Sequence, residues 1–199
     1  MRLILASQSM GRRTMLKAAG IPFAVVTSGV DETALTATYK ARPGGCSPAG
    51  LALHLARAKA EAVSRLHGDS VVIGSDQVLA IGDEWLDKPG DLEGARATIE
   101  RLRGRTHILH SAVALAEGGG TVWHHADQAL LTMRNVSDDF LTHYLAMAGE
   151  GIFGSVGAYH LEGPGTQLFD DIDGDYFTIL GMPLLPLLRE LRARGVIAT

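Results

Sequence analysis

Cysteine is almost absent from this chain of 199 residues, which contains only Cys46. One cysteine excludes an intrachain disulfide, and it fits a reducing compartment, so we expect a cytoplasmic protein. Long hydrophobic runs are missing as well. The apolar run at residues 3–6 turns polar at Ser7, so it is too short for a signal peptide or a membrane span. It is better explained as a first buried strand.

Positive charge is also in short supply. Lys and Arg total 18 against 22 Asp and Glu, which gives a net charge of −4 and a pI near 6.0. An acidic balance argues against broad binding to a nucleic-acid polymer, although it leaves room for a small basic site for one nucleotide. Hydrophobic residues at 46% and charged residues at 20% are ordinary for a globular protein. We therefore expect a single domain over residues 1–199, with no membrane partner.

Several common catalytic and metal-binding motifs are missing. The GxxxxGK[ST] spacing of a P-loop does not occur, and Cys46 has neither a CxxC partner nor a nearby histidine. Two histidine pairs, at 107/110 and 124/125, lie in predicted strands. Residues one or three apart in a strand face opposite ways, so neither pair easily binds one metal ion. Structural roles explain these histidines better.

Apolar runs, capping residues and glycines predict a mixed α/β chain. In the first half we predict a strand at 3–6, a helix at 10–19 after Ser9, a strand at 22–26, a mobile loop at 27–50, a helix from Ser47-Pro48 to His67 and a strand at 71–73. The apolar seam of the second helix is predicted to be Leu51, Leu55, Ala58, Ala62 and Leu66, with Lys59 at its edge. In the second half we predict a helix from Asp91 to Leu102, paired strands at 106–117 and 121–133, a helix to Ala148 capped by residues 137–139, a strand at 152–161 and a helix at 183–194.

The segment Ser7-Gln8-Ser9-Met10-Gly11-Arg12-Arg13 joins the first strand to the first helix. Free N–H groups at a helix start, two hydroxyls and two arginines are suited to binding phosphate. The simpler interpretation is a capping serine beside surface arginines. Both interpretations remain open from the residues alone.

Three further segments carry charged candidates. Asp76 follows the predicted strand 71–73 with two residues in between, near a strand end where ligands gather in α/β sheets. It is either a general base, a metal ligand or a turn residue. Lys88 precedes a proline and is either extended toward a phosphate or solvated in a turn. Asp31 and Glu32 offer hard oxygen ligands for Mg²⁺ or Mn²⁺, although alone they are weak signals.

These motifs, taken in order, resemble the Maf family of nucleoside triphosphate pyrophosphatases over nearly the whole chain. The motifs are 5–9 with Arg12 and Arg13, 30–32, 56–60, 74–78, Lys88-Pro89, 157–159, Glu162-Gly163, 174–176 and 180–184. The resemblance implies an elongated mixed sheet with flanking helices, and two lobes around a deep nucleotide cleft, as in inosine triphosphatases.

The resemblance also implies an activity and a site. The implied reaction is the hydrolysis of a nucleoside triphosphate to the monophosphate and pyrophosphate. Asp76 is then the proton acceptor, and Glu32 and Asp76 hold a divalent cation, Mg²⁺ or Mn²⁺. Phosphates would be bound by Ser7, Ser9, Arg12, Lys59 and Lys88. A homodimer is expected from the same resemblance, and the alternative function is a nucleotide-sensing regulator of septum formation with little turnover.

Three positions are linked in the family to the choice of base: Gly11, Gln77 and Glu162. A member selective for dTTP and UTP would have Arg, Thr and Gln at these places. Gln77 and Glu162 instead resemble the branch that acts on 7-methyl-GTP, whereas Gly11 replaces that branch's tryptophan. We therefore expect a preference for guanine-type nucleotides, in an enzyme that is broader than that branch.

Overall fold

The computed structural model describes residues 2–43 and 46–198, and it has the mixed α/β architecture predicted from the sequence. A seven-stranded sheet has the order β2-β1-β3-β5-β6-β7, with β4 paired to β3. The strands are β1 (Arg2–Leu5), β2 (Ala24–Val25), β3 (Ser70–Ile81), β4 (Glu84–Leu86), β5 (Thr106–Glu117), β6 (Gly120–Met133) and β7 (Phe169–Asp173). The helices are α1 (Met10–Ala18), α2 (Glu32–Lys40), α3 (Pro48–Ser64), α4 (Leu92–Leu102), α5 (Asp138–Ala148), α6 (Tyr176–Ile179) and α7 (Leu184–Ala193).

Capping residues mark most of the helix starts that the sequence predicts. The Ser9 side chain accepts a hydrogen bond from the Arg12 N–H, and Ser47, Asp91 and Ser137 cap α3, α4 and α5 in the same way. Each cap satisfies a backbone donor that the helix itself leaves without an acceptor. The predicted starts of these helices are therefore confirmed, as is the pairing of β5 with β6.

The predicted irregular loop at 27–50 is wrong, because it contains α2. The Asp31 side chain caps this helix by accepting from the Ala34 N–H at 2.9 Å. Of the apolar side chains of α2, only Leu35 and Tyr39, four residues apart, pack partly buried against the core, which is too short a pattern to mark a helix in the sequence. The adjacent strand is also shorter than the predicted 22–26, since only Ala24 and Val25 pair with β1.

The buried face of α3 differs from the predicted seam. Leu51 and Leu55 are buried as expected, but the face continues through Ala56, Lys59, Ala60 and Val63, and Leu66 is exposed. Gly74 of β3 explains the close packing: a Cβ there would lie 2.1 Å from the carbonyl oxygen of Ala56. Since only glycine permits this approach, α3 lies directly against β3 and Lys59 is carried inward.

Strand β3 extends well beyond the predicted 71–73. Its first residues pair in parallel with β1, and residues 72–80 pair antiparallel with β5 on the other side. Asp76 therefore lies within a strand rather than after its end. On the β1 side, pairing stops at Ile73 and resumes with β4 at Leu79, so residues 74–78 form an open edge of the sheet.

The predicted strand at 152–161 is also wrong. Glu150–Gly154 forms a 3₁₀ turn, irregular turns follow it, and the chain rejoins the sheet only at β7. The short elements β4, β7 and α6 have too few residues to produce a periodic pattern.

The core divides into two regions, which we call the near lobe and the far lobe. In the near lobe, α3 packs on one face of the β1–β3–β5 sheet, and α1 and α7 pack on the other. In the far lobe, α4 and α5 pack with the remaining parts of β3, β5 and β6 around Tyr144 and Ile99. Among residues 2–43 and 46–198, no helix has both the length and the apolar character needed to cross a bilayer.

Candidate active site

One buried lysine joins two carboxylates at the open edge of β3. The Nζ atom of Lys59 lies 2.6 Å from Oδ1 of Asp76 and 2.8 Å from Oε2 of Glu32. Lys59 is only 6% exposed and Asp76 only 7%, whereas Glu32, at the start of α2, is half exposed. Burying a charge is costly unless it is paired, and here each buried charge has a partner of opposite sign.

Arg12 lies on the opposite face of the same edge. Its Nε–H donates to the carbonyl oxygen of Gly181 at 2.9 Å, and its Nη1 reaches Oγ of Ser7 at 3.5 Å. Burial lowers the pKa of Arg12, while Asp76 and Glu32 act in the opposite direction. Because an arginine guanidinium is not deprotonated in proteins, Arg12 is a cation facing the carboxylate cluster.

Ser7 and Ser9 shape the turn that precedes Arg12. Oγ of Ser7 accepts from the Ser9 N–H at 3.2 Å, and Oγ of Ser9 accepts from the Arg12 N–H at 3.4 Å. Both hydroxyls thus accept hydrogen bonds within the turn between β1 and α1. This arrangement agrees with the capping interpretation, and it also places the start of α1 beside the open edge.

Gln77 and Gly11 lie beside the carboxyl end of α6. The Gln77 side-chain amide donates to the carbonyl oxygens of Thr178 at 3.1 Å and Ile179 at 3.0 Å, and to Oγ of Ser111 at 2.9 Å. A Cβ on Gly11 would lie 3.8 Å from the carbonyl oxygen of Leu180. Two of the three predicted specificity positions therefore flank one turn of the chain.

Successive side chains along β3 point to opposite faces of the sheet, so the site has one half on the α3 face and one half on the face of α1 and α6. Asp76 points toward α3 and Lys59, whereas Ser75 and Gln77 point toward α1 and α6. The two halves meet where β1 has ended. A ligand across this edge can contact the carboxylate cluster on one side and Arg12 on the other.

Lys88 and Glu162 are not brought into this cluster. Lys88 is exposed in the segment after β4. Glu162 lies in the far lobe, on a cavity of about 120 Å³ that is also lined by Tyr144, Ile152 and His160. A second cavity, of about 310 Å³, lies between α2 and α3 and is lined by Tyr39, Arg42, His54 and Arg57 among others. Neither cavity is lined by Asp76.

Sequence reasoning missed the contribution of the chain around α6. The carbonyl oxygens of Thr178 and Gly181 accept hydrogen bonds from the predicted site residues Gln77 and Arg12, and Ser111 of β5 accepts another from Gln77. The segment 174–184 was part of the family resemblance, but nothing in its residue types indicates that its carbonyl groups face Arg12 and Gln77. That contact depends on how the chain returns to the sheet after β7.

A divalent cation would find two protein carboxylates here. Across residues 2–43 and 46–198, no three His, Cys, Asp or Glu side chains are placed to hold a metal ion together. Glu32 and Asp76 do lie close to one another, since both contact the same ammonium group. A pair of carboxylates suits Mg²⁺, which typically binds one or two carboxylates together with substrate phosphates and water.

Comparison with known proteins identifies the family of this chain. The family model described as "Maf-like protein" matches residues 2–194. A protein of Granulibacter bethesdensis named nucleoside triphosphate pyrophosphatase is 54% identical over 192 residues, covering 96% of each chain. A protein of Brucella abortus named 7-methyl-GTP pyrophosphatase is 48% identical over 191 residues, covering 96% of this chain and 95% of its own.

The site and fold define an α/β protein with a paired-charge cluster at an open sheet edge. The extent of these matches shows that the chain belongs to the Maf family. A solved dITP/XTP pyrophosphatase from Mycobacterium abscessus is more distant, with 17% identity, a TM-score of 0.43 and coverage of 96% of this chain and 98% of its own.

Proposed function

We propose that this protein hydrolyses the α–β phosphoanhydride of a nucleoside triphosphate, releasing the monophosphate and pyrophosphate. The observation that carries the proposal is the cluster at the open edge of β3, where Lys59 joins Asp76 and Glu32 and where Arg12 lies across the edge. The names of the relatives from Granulibacter bethesdensis and Brucella abortus support the same reaction.

The cations of the site suit a polyphosphate. An ammonium group has three N–H donors, and two of those on Lys59 point to carboxylates, which leaves the third for a phosphate oxygen. Arg12 donates from Nε to Gly181 and from Nη1 to Ser7, and its remaining N–H groups can bind a second phosphate. Lys88, on the exposed segment after β4, adds a third cation when a substrate extends toward it.

Asp76 is the group best placed to accept a proton. Water attacks a phosphorus atom of the α–β anhydride, the bond from that phosphorus to the bridging oxygen breaks, and the Asp76 carboxylate takes the proton of the water. A positioned base of this kind contributes typically 10²–10⁴-fold. The reaction needs no covalent intermediate, so it needs no nucleophilic Ser-His or Cys-His pair.

Glu32 and Asp76 are the residues that would hold Mg²⁺ or Mn²⁺. When bound, such an ion neutralises phosphate charge and stabilises the charge that develops on the leaving pyrophosphate. Oxygen ligands on two adjacent carboxylates fit a hard cation of this type. The chain's own contribution is to keep both carboxylates together through Lys59.

We further propose a preference for guanine-type nucleotides, including 7-methyl-GTP, over UTP and dTTP. A carboxylate such as Glu162 can accept from N1–H and the exocyclic amine of guanine, and methylation at N7 adds a positive charge that it would favour. Gly11 supplies no aromatic ring, so about 1–3 kcal/mol of stacking is missing and other triphosphates should also be accepted.

A pyrophosphate-release assay tests both proposals. Purified protein with Mg²⁺ or Mn²⁺ is given GTP, 7-methyl-GTP, UTP and dTTP, and both products are quantified. Equal amounts of monophosphate and pyrophosphate support the reaction, whereas release of orthophosphate or no turnover on any nucleotide contradicts it. The ranking of kcat/KM values decides the base preference separately.

Two expectations on assembly and location stay predictions. A homodimer is expected from the family, and light scattering on the eluting protein measures its mass. The cytoplasm is expected from cysteine usage, and fractionation of cells measures the location.

A further inference from the structure

The carbonyl oxygen of Gly181 is a shared acceptor beside the site. It accepts from Nε of Arg12 at 2.9 Å and from Oγ of Ser75 at 2.9 Å. Ser75 is fully buried and directly precedes Asp76 on β3. One backbone carbonyl thus connects the arginine of α1 to the strand that carries the proposed base.

Position 181 favours glycine because of its backbone conformation. Its φ of +101° lies in a region that residues with a side chain rarely adopt. A Cβ there would be in ordinary van der Waals contact with Arg12, 3.4 Å from Nη2 and 3.6 Å from Nε, and 3.7 Å from Oε1 of Gln77. A residue with a side chain would therefore strain the backbone and change the direction of the carbonyl that Arg12 contacts.

The contact helps to fix the orientation of the guanidinium. Nε donates to the Gly181 carbonyl at 2.9 Å and Nη1 reaches Oγ of Ser7 at 3.5 Å, so the planar group is held at two points beside the open edge of β3. Arginine binds phosphate through two donors in a fixed fork, so its orientation determines whether both donors reach the same phosphate. A lysine lacks both the fork and the Nε donor.

We infer that Gly181 is a positioning residue, whose backbone carbonyl orients Arg12 toward the phosphates of the substrate. The inference rests on the proposed function, because binding phosphate is the task assigned to Arg12. Gly181 itself acts through Arg12 and does not touch the substrate.

A double-mutant cycle tests the inference. Gly181→Ala, Arg12→Lys and the double variant are compared with wild type for kcat/KM and for affinity toward inorganic tripolyphosphate, measured by calorimetry. We expect Gly181→Ala to lower both by about tenfold or more in the wild-type background. In the Arg12→Lys background, where no Nε is left to orient, the same change should cost less than about twofold.

Gly195→Ala is the matched control. Gly195 follows α7 with φ +68°, and a Cβ there would meet nothing within 4 Å. It therefore carries a similar backbone strain away from the site. It should lower the melting temperature as Gly181→Ala does, while leaving tripolyphosphate affinity within about twofold of wild type.

The inference is overturned if Gly181→Ala costs the same factor with Lys at position 12 as with Arg, or if Gly195→Ala weakens tripolyphosphate binding equally. If Gly181→Ala does not fold, Ser75→Ala takes its place, because it removes the second donor that holds the same carbonyl in position. It should then weaken tripolyphosphate binding with Arg at position 12 but not with Lys, and an equal loss in both backgrounds overturns the inference. If wild type releases no pyrophosphate, the proposed reaction is wrong. The inference about Gly181 still stands if tripolyphosphate binding depends on Gly181, so the two outcomes can be distinguished.

Discussion

Each lobe buries polar side chains, and the two lobes compensate for the lost contact with water in different ways. In the near lobe, Lys59 carries a full charge between two carboxylates. In the far lobe, the His107 ring is fully buried and its Nε2 lies 2.7 Å from the Tyr159 hydroxyl. Burial lowers the pKa of His107 from 6.5 to about 4 and raises the pKa of Tyr159, so this second pair is uncharged at neutral pH.

The difference supports our proposal that the near lobe binds the substrate. A buried ion pair costs several kcal/mol in lost hydration and seldom repays that cost, so it is weak evidence of a purely stabilising role. A neutral hydrogen bond between aromatic side chains adds packing without that cost. His107 packs near Phe169 as well, at 6.0 Å between ring centroids. The proposed binding of phosphates gives the charges of the near lobe a role that stability alone does not.

Asp76→Asn should have the largest effect and would break the near-lobe cluster. The change keeps the shape of the side chain but removes the proposed base and one metal ligand, so kcat should fall by about 10³-fold or more. Asp83→Asn, in the exposed turn after β3, is the control and should leave turnover unchanged. Turnover of the Asp76 variant within tenfold of wild type would rule out this role for Asp76.

Lys59→Met should destabilise the near lobe by roughly 3 kcal/mol, at the lower end of the range for breaking a buried ion pair because Glu32 is half exposed. The remaining Asp76 carboxylate is then buried without its cation. Urea unfolding at pH 7 measures the loss. Lys17→Met, at an exposed position of α1, should change the free energy of unfolding by less than about 0.5 kcal/mol. A loss below 1 kcal/mol for Lys59→Met would mean that the ion pair between Lys59 and Asp76 does not stabilise the fold.

Acid should weaken the far lobe through His107. Its folded-state pKa is lower than its unfolded value, so the neutral ring stabilises the fold fully above pH 6.5, and this contribution is lost as pH falls toward about 4. The total is on the order of 3 kcal/mol. His107→Gln should reduce the pH dependence of the free energy of unfolding between pH 7 and pH 4, whereas His124→Gln, at an exposed position, should leave it unchanged. Equal slopes for wild type and His107→Gln would contradict the assignment.

Glu162→Gln should have the smallest effect, and it tests whether the far lobe contributes to substrate choice. Loss of the carboxylate should lower the preference for 7-methyl-GTP over UTP by about 1 kcal/mol, which is roughly fivefold in the ratio of kcat/KM values. Glu150→Gln, another exposed glutamate of the same lobe, is the control. If UTP and dTTP are the best substrates and Glu162→Gln leaves the ranking unchanged, the selectivity argument is wrong while the reaction still stands.

Local signals account for the parts of the fold that were predicted correctly. Ser9, Asp91 and Ser137 start helices because their own oxygens accept from N–H groups three residues later. The β5–β6 pairing follows from two long strand patterns separated by glycines. The helix α2 was missed because only Leu35 and Tyr39 mark an apolar face over its nine residues, and Asp31 capping it is a weak signal by itself.

The sequence by itself determined most of the long helices and strands, the family and the candidate residues, since caps, periodicity and short motifs involve neighbours along the chain. Only the tertiary structure decided where those residues meet. The sequence predicts Lys59 at the edge of the apolar seam of α3, whereas its burial depends on Gly74 and Asp76 of β3. Arg12 depends on Gly181, 169 positions away. Such contacts are set by the packing of elements distant in the chain, and residue types alone carry no record of that packing.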